Sequence, residues 1–151
     1  MSKIENSRIP ELLHALKSQT LLHKLALGVE FLIKQRTQKG FDLFGQTFLP
    51  YSDAYKKKRE SHNLNVWPVD LFWDHTQGML TKIDHVVANN FDSVRVLIND
   101  PEKELIGSYH DRLGAGKNKV IRRWWGIHSD DEKNRLSRLG FNAIKAIIKS
   151  L

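Results

Sequence analysis

The chain has 151 residues, a net charge of +7 at pH 7 and no cysteine. Its length predicts a single domain spanning residues 1–151, and the lack of cysteine excludes disulfides, thiolate metal sites and cysteine nucleophiles. The apolar runs stay well short of the ~20 residues that a membrane span needs, so no membrane partner is expected.

The first third of the chain is predicted to be helical. Pro10 suits the first turn of a helix, because its missing N–H would have no partner there. Thr20 is positioned to cap a second helix, in which apolar residues recur at three- and four-residue steps, and Gly40 is a natural stop for it. The apolar residues of the two helices are Leu12, Leu13 and Leu16, then Leu22, Leu25, Val29, Leu32 and Ile33.

The middle of the chain is richer in turn residues. The stretch Lys39–Ser52 predicts a short hairpin or an ordered loop. Ser52 is the expected N-cap of a short helix that follows it. The stretch Val69–Asp74 predicts a short strand. From Gly78 the apolar spacing fits a helix, although Ile83–Val87 fits a strand as well, because the two periods overlap there.

The clearest strand is Ser93–Asp100, in which Val94, Val96 and Ile98 alternate with other side chains to give one apolar face. The stretch Lys103–His110 predicts either a pairing strand or a short helix. It leads into a glycine-rich basic loop.

The last helix is the best specified element of the sequence. Ser129 and Glu132 form a capping box, in which the hydroxyl accepts from an N–H three residues on and the glutamate reaches back. An apolar stripe follows. Together these elements predict an α+β fold, a small antiparallel sheet packed by the N-terminal and C-terminal helices. The stripe comprises Leu136, Leu139, Ala143, Ile144, Ile147 and Leu151.

The search for metal and cofactor sites yields no candidate. None of the seven histidines forms a pair at i, i+4 spacing, and there is no HExxH motif, so we expect structural or solvent-exposed histidines and no metal. Gly114 to Lys117 contains a Gly-x-Gly-Lys fragment. A phosphate-binding loop requires Ser or Thr after the lysine, whereas Asn118 stands there. We therefore expect a surface loop and no cofactor.

Catalytic patterns are equally sparse. There is no Gly-x-Ser-x-Gly motif, and the acids Asp130, Asp131 and Glu132 are accounted for by the helix cap. The prediction is that the protein is not an enzyme. The opposing hypothesis, an enzyme with a histidine-based site, predicts loss of activity when His85 or His110 is replaced.

Two clusters combine basic and aromatic residues. Such clusters are suited to bind nucleic acid, because cations neutralise its phosphates and its bases stack on aromatic rings. They also fit a solvated helix face and a pair of arginines beside a buried tryptophan. Because no nucleic-acid-binding motif accompanies them, the residues favour a core or interface role for the tryptophans. The first cluster is Lys56, Lys57, Lys58 and Arg59, which follow Tyr51 and Tyr55, and the second is Lys117, Lys119, Arg122 and Arg123, which lead into Trp124 and Trp125.

The order of these features resembles the phage virion morphogenesis family, the tail-completion proteins of tailed phages and prophages, including the Mu G-like type. The resemblance covers residues 30–150. One departure is the stretch Ser61–Gln77, which is longer than the usual link and is suited to reach a different neighbouring protein. The first motif is carried by Gly40, Asp42, Gly45, Phe48, Pro50, Tyr51, Ser52 and Tyr55, and the later ones by Asp70, Leu71, Gly78, Leu80, His110, Gly114 or Gly116, Arg123, Trp125, Gly126 and Ser129 to Asp131.

This resemblance implies a structural protein that acts in tail completion or head–tail joining, in the virion, after assembly in the host bacterial cytoplasm. Its expected partners are other copies of itself in a ring, hexameric where it matches tail symmetry, and other tail or neck proteins. Trp125 would be anchored inside or at a subunit contact. Arg122 and Arg123 would face a neighbouring subunit or packaged DNA, which is touched without regard to sequence. The alternative is a small basic domain that binds nucleic acid without sequence specificity.

Overall fold

The computed structural model of the chain describes residues 10–11, 19–69, 78–90 and 92–150. Pro10 and Glu11 are helical, as expected. The predicted apolar face of Leu12, Leu13 and Leu16 lies outside the described residues, and so does the strand predicted at Val69–Asp74, apart from its first residue.

The long N-terminal helix, α1, spans Gln19–Gln38. Thr20 lies inside α1 rather than in front of it, so the prediction that it caps the helix is wrong. The predicted stop is confirmed. Gly40 has a φ of +80°, and a Cβ there would lie 2.7 Å from Pro68, so both conformation and space require glycine.

A tight hairpin-like loop follows α1, as predicted. Phe41 and Thr47 form an antiparallel bridge, and the Asp42 carboxylate accepts hydrogen bonds from the backbone N–H groups of Phe44 and Gln46. The next helix, α2, spans Asp53–Glu60 and begins directly after Ser52. The Ser52 side chain makes no capping hydrogen bond there.

The segment after Gly78 divides into a turn and a strand. Met79–Lys82 forms a 3-10 turn, and Ile83–Val87 forms strand β1, so the helix alternative is wrong for the second half. Strand β2, Val94–Ile98, pairs antiparallel with β1. In this register Ile83 lies opposite Ile98 and His85 opposite Val96. These side chains share one face of the sheet, and α1 packs across both strands.

Helix α3, Pro101–Ser108, continues into a π-helical turn at Tyr109–Leu113. The strand alternative for this stretch is therefore wrong. Asp100 explains the outcome, because its carboxylate accepts a hydrogen bond from the N–H of Lys103 at 3.1 Å and caps a helix whose first residue is proline.

The C-terminal helix, α4, spans Asp130–Ser150 and packs on α1. Gly28 allows the close approach, since a Cβ there would lie 2.6 Å from the Leu139 side chain. Near the other end of the contact, Ala143 and Ile147 lie beside Leu21. The α+β prediction is confirmed, with the helices from both ends of the chain packed around a small antiparallel sheet.

The main core lies between α1, the sheet, the 3-10 turn and the segment before α4. Its most deeply buried apolar side chains include Ile33, Leu80, Val69 and Trp124. Among the described residues, no helix combines the length and apolar character needed to cross a bilayer.

The Trp124 joint and candidate assembly surfaces

Four side chains fix the segment that leads into α4, and we call them the Trp124 joint: Arg36, Asp111, Trp124 and Glu132. Trp124 is its anchor, with only 1% of its surface exposed. Its indole N–H donates to the carbonyl of Gly107 on α3 at 3.1 Å, so the polar edge of the buried ring is satisfied. The ring thereby ties α3 to the core.

Asp111 holds the backbone of the same segment. Its carboxylate is buried, and one oxygen accepts from the N–H of Trp124 at 3.0 Å and from the N–H of Trp125 at 3.1 Å. Two backbone donors in an irregular segment therefore receive a charged acceptor in place of a strand partner.

Arg36 links three elements from the end of α1. Its guanidinium donates to the Glu132 carboxylate at 2.5 Å, and to the carbonyls of Trp124 at 2.5 Å and Gly126 at 3.1 Å. The planar fork of donors in arginine suits such divergent acceptors, which lysine would not match.

The predicted capping box is present in modified form. The Ser129 hydroxyl accepts from the N–H of Glu132 at 3.2 Å, as expected. The Glu132 carboxylate reaches back to the N–H of His128 at 3.3 Å and also binds Arg36. The carboxylate that completes the cap of α4 thus also binds a side chain of α1. The spacing of residues in the sequence did not reveal this second contact.

The extended segment from Ile121 to Trp125 alternates in burial, and this corrects part of the prediction. Arg122 and Trp124 are buried, Arg123 is exposed, and Trp125 is half-buried. Trp124, not Trp125, is therefore the interior anchor. The guanidinium of Arg122, a predicted subunit or DNA contact, donates within the chain to the carbonyls of Leu49 and Pro50 at 3.0 and 3.1 Å. That Trp125 and Arg123 contact a subunit or DNA stays a prediction.

Arg122 belongs to a second buried polar group that the sequence did not reveal. The guanidinium carbons of Arg59 and Arg122 lie over the Tyr51 ring, 4.9 and 5.5 Å from its centroid. Arg59 is buried and donates to the carbonyl of Asn65 at 2.6 Å. Its place directly after three lysines had suggested a solvated residue.

His110 packs beside this group. Burial, reinforced by the positive charge of Arg122, lowers the pKa of His110 to about 4, so the imidazole is neutral at pH 7. His110, Arg122 and Tyr51 line part of a pocket of about 360 Å³, with Tyr55 and Lys117 also in its wall. The nitrogen Nδ1 of His110 has no hydrogen-bond partner among the described residues.

The lysine cluster lies on the outer side of α2. Lys57 and Lys58 are exposed, and Lys56 pairs with the exposed Asp53 at 3.0 Å. This exposure is compatible with a subunit or DNA contact, which stays a prediction, and equally with a solvated helix face.

The histidines are less scattered in space than in sequence. Gln19, His23, His85 and Glu30 form a hydrogen-bonded chain, with 2.5 Å between the two imidazoles and 2.6 Å from His85 to Glu30. This chain joins α1 to β1. No spacing rule would have found it, because the histidines are 62 residues apart.

Glu30, Asp84 and His85 each offer a ligand atom within 4.8 Å of the others, which is a spacing that a metal ion could use. However, the ammonium group of Lys34 already pairs with Glu30 at 3.3 Å, and the short distance from His85 to Glu30 is that of a hydrogen bond. The group is better described as a polar network that fastens α1 to the sheet.

A row of exposed apolar side chains follows α3 into the π-helical turn. Leu105, Tyr109 and Leu113 are spaced four residues apart and are 53, 46 and 57% exposed. We call them the α3 stripe. Beside it lies a surface pocket of about 690 Å³, lined in part by Ile106 and Lys119.

A second apolar surface lies on α1. Leu27 and Phe31 are exposed and one helical turn apart, and the Leu139 side chain of α4 lies close to Gly28 of α1.

Comparison of the chain with protein families, curated proteins and solved structures gives no match in any of the three.

Proposed function

We propose that this is a structural protein of phage or prophage virion assembly, which acts in tail completion or head–tail joining by ring-like self-association. The α3 stripe is the observation that carries the proposal. Contiguous exposed apolar side chains mark sites where proteins associate, whereas single ones are common on any surface.

The arrangement of polar groups also supports an assembly role. The buried charges of the Trp124 joint are used to hold backbone, since Asp111 binds two N–H groups and Arg36 binds two carbonyls. A rigid scaffold that presents apolar surfaces suits an assembly subunit. A ring needs two different complementary surfaces on each copy, and the α3 stripe and the α1 surface are candidates for such a pair.

The test replaces apolar stripe residues by charged ones. Leu113→Glu combined with Leu105→Glu should shift the mass of the purified protein from oligomer to monomer, measured by light scattering after size exclusion. Phe141→Glu, at an exposed apolar position on α4, is the matched control and should keep the parent mass. A double variant that assembles like the parent would rule out the α3 stripe as the contact.

The second candidate is a small basic domain that binds nucleic acid without sequence specificity. Exposed Lys57, Lys58 and Arg123 favour it. A protein that contacts several phosphates loses orders of magnitude in DNA affinity between low and moderate salt. Micromolar binding with that salt dependence, in a protein that stays monomeric, would establish this candidate over the first.

A further inference from the structure

The pocket of about 360 Å³ beside His110, which we call the Arg122 pocket, has a one-sided charge. Of the described residues in its wall, Arg122 and Lys117 are cationic and none is acidic. A ligand pocket usually has a mainly apolar wall with a few placed polar groups, and those groups decide which ligand it accepts. Here both charged groups are positive, so they select an anion.

Arg122 supplies a fixed positive charge in this wall. Only 6% of its surface is exposed, and two of its guanidinium nitrogens, Nε and Nη2, donate to the carbonyls of Leu49 and Pro50. The third nitrogen, Nη1, has no acceptor among the described residues.

The charge of Arg122 also has no counter-ion. No carboxylate of the described residues pairs with the guanidinium, and burial lowers its pKa because few water molecules solvate the charge. A buried cation without an anionic partner is unfavourable. An anion bound at Nη1 would offset this cost.

A short basic hairpin forms another part of the wall. Ala115 and Val120 form an antiparallel bridge, and the four residues between them turn the chain. The N–H groups of Gly116, Lys117 and Asn118 in this turn have no acceptor among the described residues. Free backbone N–H groups in a tight turn, together with an ammonium group, are donors that suit a phosphate.

We propose that the Arg122 pocket binds a phosphate monoester, with Arg122 as the fixed positive charge and the exposed Lys117 as the flexible one. A phosphate monoester carries a charge between about −1.5 and −2 at pH 7, which two cations balance better than they would a singly charged carboxylate. The hydrogen-bond donors of the hairpin would bind the remaining phosphate oxygens.

The size of the pocket favours an ester over inorganic phosphate. A water molecule takes up about 30 Å³ in the liquid, so the pocket has room for about twelve of them, more than one phosphate group fills. The rings of Tyr51 and Tyr55, with centroids 4.9 Å apart, lie in the same wall. They offer an apolar surface to the organic part of the ester.

Two sources carry this group: a free ester, such as a nucleoside monophosphate, and the phosphate at the end of a nucleic-acid strand. The pocket recognises what the two share. The proposal goes beyond the assembly role and does not require self-association, so either one can fail while the other stands.

The experiment measures binding to the full chain by calorimetry at constant ionic strength. The probes are thymidine monophosphate, thymidine, and a short oligothymidine strand with and without a terminal phosphate. We expect the phosphorylated member of at least one pair to bind roughly tenfold or more tightly than its partner, and that pair identifies the source. If neither pair shows a difference, the proposal is overturned.

Two lysine variants separate the pocket from the general positive charge of the chain. Lys117→Gln removes a cation that lines the pocket, whereas Lys119→Gln removes one from the same hairpin that lines the neighbouring pocket of about 690 Å³. We expect the first variant to weaken binding roughly fivefold or more and the second by less than about twofold. Equal losses would overturn the site, because they would show attraction by net charge alone.

Replacement of Arg122 would also release the carbonyls of Leu49 and Pro50, so its role is followed in the unmodified protein. The Nε–H signal of Arg122 in a proton–nitrogen NMR spectrum should shift when the phosphorylated probe is added. A signal that stays in place at saturation would overturn the assignment of Arg122 as the charge that binds the phosphate.

Discussion

Trp124 is the side chain whose replacement should cost the most stability. Truncation of a fully buried tryptophan leaves a cavity, and it here also leaves the Gly107 carbonyl without its donor. Trp124→Ala should lower the free energy of unfolding by roughly 3–5 kcal/mol, measured by urea denaturation. Trp125→Ala is the matched control and should cost clearly less. Equal losses for the two variants would contradict the assignment of Trp124 as the anchor.

The order of residues explains why the sequence did not show which tryptophan is buried. In an extended segment alternate side chains point to opposite sides, and Arg122 to Trp125 read Arg, Arg, Trp, Trp. Either phase of the alternation buries one arginine and one tryptophan. Only the tertiary acceptors of Arg122 and the carbonyl of Gly107 select the observed phase.

His110 gives the protein a defined response to pH. Its pKa is about 4 in the folded protein and about 6.5 in a free peptide, so between these values the unfolded chain binds a proton that the folded chain does not. The contribution of His110 to the free energy of unfolding should therefore be fully present above pH 6.5. It should fall, by an amount of the order of 3 kcal/mol, as the pH drops to 4.

The measurement is the free energy of unfolding of His110→Gln between pH 7 and pH 4. The variant should lose less stability over this range than the parent, because the titrating group is gone. His62→Gln, at an exposed position, is the control and should follow the parent's profile. A His110 variant with an unchanged pH slope would mean that the imidazole is not buried as described.

At the scale of whole elements, the helix caps give a direct comparison. The Ser129 hydroxyl caps α4, whereas the Ser52 side chain occupies the same position before α2 without a capping bond. Ser129→Ala should therefore cost about 1 kcal/mol of stability, and Ser52→Ala less than half of that. Thermal melts of both variants test this, and a reversed order would contradict the cap geometry.

Elements with a strong local pattern were predictable from the sequence. The alternation of Val94, Val96 and Ile98 identified β2, and the capping box with its apolar stripe identified α4. The stretch Lys103–His110 was ambiguous, because it is too short for its spacing to separate a helix from a strand. Its capping residue, Asp100, was the local signal that would have decided for a helix.

Spatial groupings could not be predicted in this way. The hydrogen-bonded chain from His23 to Glu30 and the stacking of Arg59 on Tyr51 depend on which elements meet in the fold. The α3 stripe could not be predicted from the sequence for the same reason. The exposure of Leu105 and Leu113 depends on which elements pack against the other face of α3.

The lysine cluster of α2 provides a further prediction at this scale. Lys56→Glu combined with Lys57→Glu should change the free energy of unfolding by no more than about 0.5 kcal/mol, because the ion pair between Lys56 and Asp53 is exposed. Chemical denaturation measures this, and a loss of several kcal/mol would show that the cluster is packed or paired.

For the molecule as a whole, the apolar surfaces and the +7 charge point to different partners. Apolar surfaces such as the α3 stripe favour protein contacts. The charge favours polyanions through long-range attraction that falls with salt. A ring around packaged DNA would use both, with apolar contacts between copies and basic side chains towards the lumen.

The central claim is that copies of this chain associate with one another in a closed assembly. Native mass measurement of the purified full chain, from about 1 μM to about 1 mM subunit concentration, tests it most directly, since weak specific contacts dissociate in this range. We predict a single closed oligomer, a hexamer where it matches tail symmetry, in exchange with monomer on dilution. A protein that stays monomeric throughout, or one that grows into particles of unlimited size, would contradict the claim.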